Sequence, residues 1–403
     1  MKTTDQQQTG APSDRVGFVY FGNEWFAENR TSSHHIARRL ASRVNLLYVD
    51  SPGMRAPRGS RRDLKRIWNK LAQALRPAQY VEPGLWLCTI PQLPWRGLPG
   101  IQWLNHRFGS WALKRAMRLA SIQRPVLWFV APHPAFMLDR IDHDVAIYYC
   151  VDDHAAHPGV DVKRMQAFDL MLTQRASHVF VAPPTLVEAK RRVNPATTFS
   201  PHGVDVQMFA QAQAEATIVP PVAAALGHPV IGYFGLIAPW TDIELIEWVA
   251  QQRPDWQFLL VGLSSTDVTG LKRLKNVTFV GQQPYESLPR WAKAFDVAII
   301  PYRQNQQVQN ANPLKLREYL ATGKPVVAVP TAEVEKFRDV LEIEPEREGF
   351  LAAIERSLAT DSPDRRSARM AAVRDMSWDH RVDETLKIVN GLLVRANART
   401  VIR

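Results

Sequence analysis

Short apolar segments alternate with helix-like segments along most of this chain, and the alternation runs twice. The first series contains "RVGFVYFG" (15–22), "VNLLYVD" (44–50), "LWLCTI" (85–90), "PVLWFV" (125–130), "VAIYYCVD" (145–152) and "HVFVA" (178–182). Helical spacing predicts helices over 32–42, 61–75, 101–120, 161–176 and 185–192. An Ala-, Pro- and Gln-rich stretch follows at 210–229, and the series then restarts with "VIGYFG" (230–235), "QFLLVG" (257–262), "NVTFVG" (276–281), "DVAIIPY" (296–302) and "PVVAV" (325–329). Helices are predicted there over 242–252 and 287–295. Strands that read as unbroken apolar runs are buried on both faces, as in parallel sheets covered by helices. The expectation is an α/β chain of two Rossmann-like domains, residues 15–209 and 230–376, with 210–229 as linker and a deep cleft between them. Residues 377–403 form the third part, an amphipathic helix whose Val382, Leu386, Val389, Leu392 and Leu393 share one face. That helix is expected to return to the first domain. Residues 1–14 carry no apolar core segment and read as a disordered tail, not a signal peptide.

Length and charge narrow the classes. A chain of 403 residues can bury two sizeable cores. No apolar run reaches the roughly 18–20 residues of a membrane span. The two cysteines, Cys88 and Cys150, lie far apart without His or Cys neighbours, which argues for a reducing, cytoplasmic setting and against structural zinc. Residues 1–205 carry 27 Lys and Arg against 16 Asp and Glu, whereas residues 206–403 carry 23 of each. All of the net +11 therefore sits in the first half, which implies an anionic partner there.

The most strongly punctuated stretch is "NPLKLREYLATGKPVV" (312–327). Asn312 reads as an N-cap, Pro313 as the first helical residue and Gly323 as the left-handed terminator before Pro325. The helix follows a buried strand and a polar loop, "RQNQQVQNA", with nothing to offer a core. Its N-terminus thus lies at the carboxyl end of a parallel sheet, where ligands bind and where free N–H groups attract phosphate. Leu314, Lys315 and Glu318 would then face a ligand, together with Tyr302 from the strand and Gly235 from the first turn of that domain. The alternative is a solvated Lys315–Glu318 surface pair.

Several of these segments resemble one family. "FSPHGVDVQMF" (199–209), "IGYFGLI" (231–237), "NVTFVGQQPYESLPRWAKAFDVAIIPY" (276–302) and the helix above are similar to the linker entry, glycine loop, base-side run and E-x7-E helix of family 4 GT-B glycosyltransferases of the bacterial cell-surface polysaccharide type. The resemblance implies a nucleotide-sugar donor, with UDP-sugar as the leading choice, in the second domain, and no cofactor or metal. Glu318 matches the second glutamate, which holds the ribose hydroxyls. The first would fall at 310, where this chain has Asn310, and the phosphate-contacting lysine of many relatives is absent from "APWTDIE". His202, at the domain junction, would touch the donor.

In the first domain "VDDHAAHPG" (151–159) follows an apolar strand, so Asp153 and His154 would stand at its carboxyl end and could take a proton from an acceptor hydroxyl. Helix capping is the competing role for Asp152 or Asp153. "FGNEWFAENRTSSHH" (21–35) offers Asn23, Arg30, His34 and His35 for acceptor or diphosphate, or else a capping loop around one buried histidine. "RRDLKRIWNKLAQAL" (61–75) places Arg61, Arg62, Lys65 and Arg66 around an apolar stripe containing Trp68, and 101–118 repeats that composition without an acid. Basic amphipathic helices with aromatics suit an anionic membrane surface.

These readings combine into a glycosyltransferase peripheral to the inner face of the cell membrane, passing sugar to a lipid-linked saccharide. An epimerase on the same fold and a non-catalytic sugar-binding protein are the alternatives. A dehydrogenase is excluded by the absence of G-x-G-x-x-G after either first strand, and nucleic-acid binding has only net charge in its favour.

Overall fold

A computed structural model describes residues 15–27, 30–50, 76–90, 100–157 and 159–401, with side chains to 396. Two sheets organise these residues. The first contains β1 (Gly17–Gly22), β2 (Asn45–Asp50), β3 (Gln79–Glu82), β4 (Leu85–Thr89), β5 (Val126–Phe129), β6 (Val145–Cys150), β7 (His178–Val181) and β8 (Thr197–Phe199). Their order is β3-β4-β2-β1-β5-β6-β7-β8, and every pairing is parallel except β3 with β4. The second contains β9 (Val230–Phe234), β10 (Gln257–Val261), β11 (Val277–Gly281), β12 (Val297–Ile300), β13 (Val326–Ala328) and β14 (Glu342–Ile343), all parallel, in the order β11-β10-β9-β12-β13-β14.

Both sheets wind outward in two directions from a first strand, the doubly wound arrangement. The strand order reverses between β1 and β5 in one sheet and between β9 and β12 in the other. Outside the carboxyl ends of such strand pairs lies the crevice where ligands bind in open α/β sheets. The helices that cover the first sheet include α1 (Ser32–Ala41), α2 (Ile101–Leu119), α3 (Val162–Arg175) and α4 (Val187–Val193). Those of the second include α5 (Ile243–Gln252), α6 (Leu314–Ala321), α7 (Arg347–Thr360) and α8 (Pro363–Val373).

The last helix, α9 (Trp378–Val401), leaves the second sheet and packs on the first. Trp378, Val382 and Val389 are buried in one core with Phe18, Tyr20, Ile36, Leu40 and Trp128. The crossover depends on Gly203: a Cβ there would lie 2.8 Å from the backbone N and Cα of Trp378, so only glycine lets the chain approach so closely. Val204 N–H donates to Met376 O at 2.9 Å and closes the crossing. The stretch 210–229 is less plain than its composition predicts, since Ala212 and Ala223 are buried in the second core.

Local predictions that fail do so for identifiable reasons. Thr31 occupies the N-cap of α1, one residue before the predicted 32–42 span, in a reciprocal capping box with His34. Asn312 does not cap α6: Pro313 stands at the N-cap and the helix starts at Leu314. The polar loop before α6 includes a short helical turn, Gln306–Gln309, and does contribute to a core through Val308.

Candidate functional site

The crevice of the second sheet is built by three segments. Residues 235–242 turn from β9 into α5, and Asp242 N–H bonds Pro301 O at 2.8 Å just beyond β12. Thr241 and Tyr302 form a bridge that ties the two segments together. The third segment is α6, which lays Lys315 into the gap. Its Nζ donates to Tyr233 Oη at 2.7 Å and stands 4.3 Å and 5.1 Å from the ring centroids of Tyr233 and Tyr302. Gly235 has φ +115, and a Cβ there would sit 3.2 Å from Lys315 Cε and Nζ. Glycine therefore gives the turn its conformation and leaves room for the end of the Lys315 side chain. Burial opposes the charge on Lys315, but the surrounding tyrosine oxygens more than offset it and raise its pKa, so the ammonium persists.

Glu318 lies one turn further along α6. It is 7% exposed and does not pair with Lys315 among the described residues, which removes the solvated-pair reading. Its Oε1 accepts from Tyr285 Oη at 3.0 Å. Burial pushes its carboxyl up to about 7, against the opposing effects of the Tyr285 hydrogen bond and Lys315. Tyr285 comes from the segment after β11, and its own pKa is raised by burial and by Glu318.

The first domain closes over this place. Arg30 pairs with Glu286 at 2.5 Å and lies 5.2 Å from the Tyr285 ring centroid. His35 packs on Tyr285 at 4.9 Å and stacks on Trp378 at 5.0 Å. Its Nδ1 is 3.5 Å from Asp205, which Arg39 also holds. Burial and the neighbouring arginines push the His35 pKa well down, so this imidazole is neutral. These contacts tie Arg30 and His35 to the opposite domain, whereas the other two acceptor candidates are spent locally. His34 is buried in the α1 capping box with Nε2 at 3.0 Å from Glu24 O, and Asn23 Nδ2 donates to Thr31 Oγ1 at 3.1 Å. Both side chains serve the loop that starts α1.

Asn312 belongs to the domain junction. Its Nδ2 donates to Ala182 O, just past β7, at 2.9 Å, and its Oδ1 accepts from Arg317 Nη1 at 2.7 Å. Arg317 is 1% exposed and bonds the equally buried Glu333. Leu314, half buried, packs against the first domain's core. His202 is 5% exposed, between Tyr149 and Trp378, and burial drives its pKa down to about 3. It is a neutral imidazole packed at the junction.

At the end of β6 the two aspartates behave differently. Asp152 accepts from Asp153 N–H at 2.8 Å through Oδ1 and meets His157 Nε2 at 2.8 Å through Oδ2. Asp153 caps no helix with its side chain. It reaches across to the second domain, where Asn310 Nδ2 lies 3.2 Å from its Oδ2. His154 turns inward, is 8% exposed, places Nε2 3.2 Å from Val130 O and is held neutral by burial. Buried under this backbone, it cannot share a substrate proton with Asp153. No group of three or more His, Cys, Asp or Glu side chains suited to a metal occurs among the described residues.

The stretch 61–75, predicted as a basic helix with Arg61, Arg62, Lys65, Arg66 and Trp68, lies outside the described residues. Its compositional counterpart α2 does not: Trp103, Phe108 and Trp111 are 57%, 52% and 55% exposed. Arg107 lies 5.5 Å over Trp103 and Arg115 6.0 Å over Trp111. No helix of the described residues is long and apolar enough to cross a membrane.

Tyr285, Asp205, Arg317 and Glu333 were not singled out from the sequence. Tyr285 and Asp205 stood inside the family-like segments, but only the fold brings them to α6.

Comparison with known proteins agrees with this geometry. Residues 222–360 match the family described as "Glycosyl transferases group 1". A Bacillus subtilis (strain 168) protein, "Putative teichuronic acid biosynthesis glycosyltransferase TuaH", is 31% identical over 238 residues, which cover 54% of this chain and 59% of that protein. The chain thus spans less than two thirds of that relative. Sucrose-phosphate synthase from Thermosynechococcus elongatus superposes with a TM-score of 0.66 at 16% identity, covering 94% of this chain and 100% of the other. Anabaena Alr3699/HepE, solved with UDP and glucose, gives 0.60 at 15% identity, covering 92% and 99%. The fold is that of the GT-B glycosyltransferases, and residues 222–360 carry the group 1 pattern.

Proposed function

We propose that this protein is a glycosyltransferase that moves a sugar from a nucleotide sugar, UDP-linked, to a lipid-linked saccharide in cell-surface polysaccharide synthesis. The carrying observation is the pair on α6: a buried ammonium and a buried carboxylate, one turn apart, unpaired with each other, at the strand-order reversal of a Rossmann-like sheet. A carboxylate so placed accepts from both ribose hydroxyls, and an ammonium beside a glycine turn meets diphosphate. Lys315 takes the place of the lysine missing from the glycine loop.

For a transfer that inverts configuration, the chemistry follows in a single displacement. The acceptor hydroxyl oxygen attacks the anomeric carbon, and the bond from that carbon to the diphosphate oxygen breaks. Asp153 takes the hydroxyl proton, and the nucleoside diphosphate leaves with the bonding electrons. Lys315 and the α6 N-terminus meet the developing charge, so the reaction as proposed uses no metal. Arg30, His35 and Tyr285 close over the donor and keep water from the reacting carbon. The basic, aromatic face of α2 rests on anionic lipid at the cytoplasmic side of the membrane.

The test is a thermal-shift and turnover screen across UDP-, GDP- and ADP-sugars, with and without lipid-linked saccharides. The expected result is stabilisation by a UDP-sugar and sugar transfer that requires acceptor. Isomerisation of the sugar without acceptor, or no stabilisation by any nucleotide sugar, overturns the reading. Asp153→Asn is expected to cut transfer by about 10²–10⁴-fold with donor affinity nearly unchanged.

A further inference from the structure

Tyr285 touches both domains beside Glu318. It comes from the segment between β11 and β12, 33 residues before Glu318, and its Oη donates to Glu318 Oε1 at 3.0 Å. The ring is held by other parts of the chain. Phe209 meets it edge-on at 5.7 Å, and His35 of α1 packs on it at 4.9 Å. His35 in turn stacks on Trp378, which is buried in the first domain's core. The Arg30 guanidinium lies 5.2 Å from the Tyr285 ring centroid and pairs with the next residue, Glu286. A line of contacts thus runs from the core of the first domain, through Trp378, His35 and Tyr285, to one oxygen of a carboxylate in the second.

We propose that Tyr285 is a positioning residue that orients Glu318 toward the donor ribose and makes that grip depend on the seating of the first domain. The inference rests on reading Glu318 as the ribose ligand. A glutamate side chain rotates freely unless its end is fixed, and fixing it only on ligand binding costs entropy. Tyr285 fixes Oε1 beforehand. Oε2 takes no hydrogen bond among the described residues, and Oε1 keeps a second lone pair, so two vicinal hydroxyls still find acceptors. A cation bonded to the carboxylate would compete for both oxygens; Lys315, on the same helix, donates instead to Tyr233 Oη. The other titratable groups about Glu318 are Asp205, which Arg39 holds, and Tyr302 just past β12, while Arg30, Glu286 and the neutral His35 stand around Tyr285. Among these, the Tyr285 hydrogen bond and Lys315 favour the ionised carboxylate, and burial and Asp205 oppose it. In an open molecule His35 and Arg30 leave the ring, and the phenol that holds Glu318 loses its support. Donor affinity is thereby coupled to closure.

The test uses the full chain with Tyr285→Phe, Arg30→Ala, the two combined, and Glu318→Gln. Dissociation constants for UDP come from calorimetry across the neutral pH range. Ribose is common to UDP, GDP and ADP, so the same comparison holds with whichever of them binds. Tyr285→Phe keeps the ring and its packing and removes only Oη. It is expected to weaken binding about three- to tenfold. It is also expected to raise the pH below which affinity falls, because the ionised carboxylate has lost a hydrogen bond. A packing role alone would leave that pH at its wild-type value. Arg30→Ala is expected to weaken binding about two- to threefold on its own and to add little to Tyr285→Phe, the non-additivity of a shared path. If Glu318→Gln binds like wild type, the ribose reading fails and the proposal with it. If Glu318→Gln weakens binding while Tyr285→Phe keeps wild-type affinity and pH dependence, the ribose reading stands and the positioning role is wrong. Tighter binding by Tyr285→Phe would show that the phenol competes with ribose, which also overturns the role. Fully additive losses from Arg30→Ala and Tyr285→Phe overturn the link to the first domain.

Discussion

Glu318 carries an electrostatic cost that only a ligand relieves. Its folded pKa of about 7 stands above the 4.5 of an ordinary glutamate, because burial disfavours the charge. The folded chain therefore binds this proton more tightly than the unfolded chain. The stabilising effect of that proton is full below about pH 4.5 and is lost as pH rises through about 7. Above pH 7 the ionised group costs the unliganded protein on the order of 3 kcal/mol. Glu318→Gln is expected to raise Tm at pH 8 and to leave it near wild type at pH 5, as differential scanning calorimetry would show. The same variant is expected to weaken nucleotide binding by roughly 1.5–3 kcal/mol through the lost charged acceptor. Wild-type nucleotide affinity should likewise fall as pH drops below 7. Identical melting of the two proteins at pH 8 would show that the carboxylate is not strained. Glu318 and Lys315 were legible in the sequence because a capped helix after a buried strand fixes their place. The role of Asn312 was not: its partner, Ala182 O, lies 130 residues away, and a local capping rule cannot see it. His34 was not legible for a related reason, since a side chain that looks free in a string is claimed by the turn that starts α1.

Among the elements, α2 is the one whose two faces disagree. Asn105, Gly109, Leu113, Ala116 and Met117 are buried, while three aromatics and their arginines stand in solvent. Cosedimentation with phosphatidylglycerol vesicles is expected at low salt and to weaken at high salt, each cation near the surface adding about 1 kcal/mol. Combined Trp103→Ala, Trp111→Ala, Arg107→Gln and Arg115→Gln is expected to reduce vesicle binding strongly and to leave nucleotide affinity intact. Wild-type protein that ignores such vesicles at low salt would return these aromatics to a protein partner. The inner parallel strands were readable because burial on both faces leaves unbroken apolar runs. The strand Gln79–Glu82 was not, since an antiparallel edge strand half in solvent shows no such run. Helices α7 and α8 also escaped notice, as their charged outer faces dilute the apolar positions that pack on β13 and β14 in α7 and on α6 in α8.

At the scale of the whole molecule, closure is held by a few contacts across the crevice. Arg30 and Glu286 are 29% and 61% exposed, and a pair so placed contributes about 0–1 kcal/mol. Arg30→Ala is therefore expected to change Tm little but to shift the population toward open molecules, seen as a larger radius of gyration in small-angle scattering without donor. An unchanged scattering curve would assign closure to the buried Asn312–Ala182 junction instead. The path of α9 has a consequence of a different kind, in the order of synthesis. The ribosome completes all strands of the first sheet before it makes Trp378, Val382 and Val389, which that sheet's core requires. During the intervening translation the α1 side of the sheet has an open apolar seat. Nascent chains of this length should therefore be clients of trigger-type chaperones, and the first half expressed alone should collect in inclusion bodies unless residues 378–396 are supplied in trans.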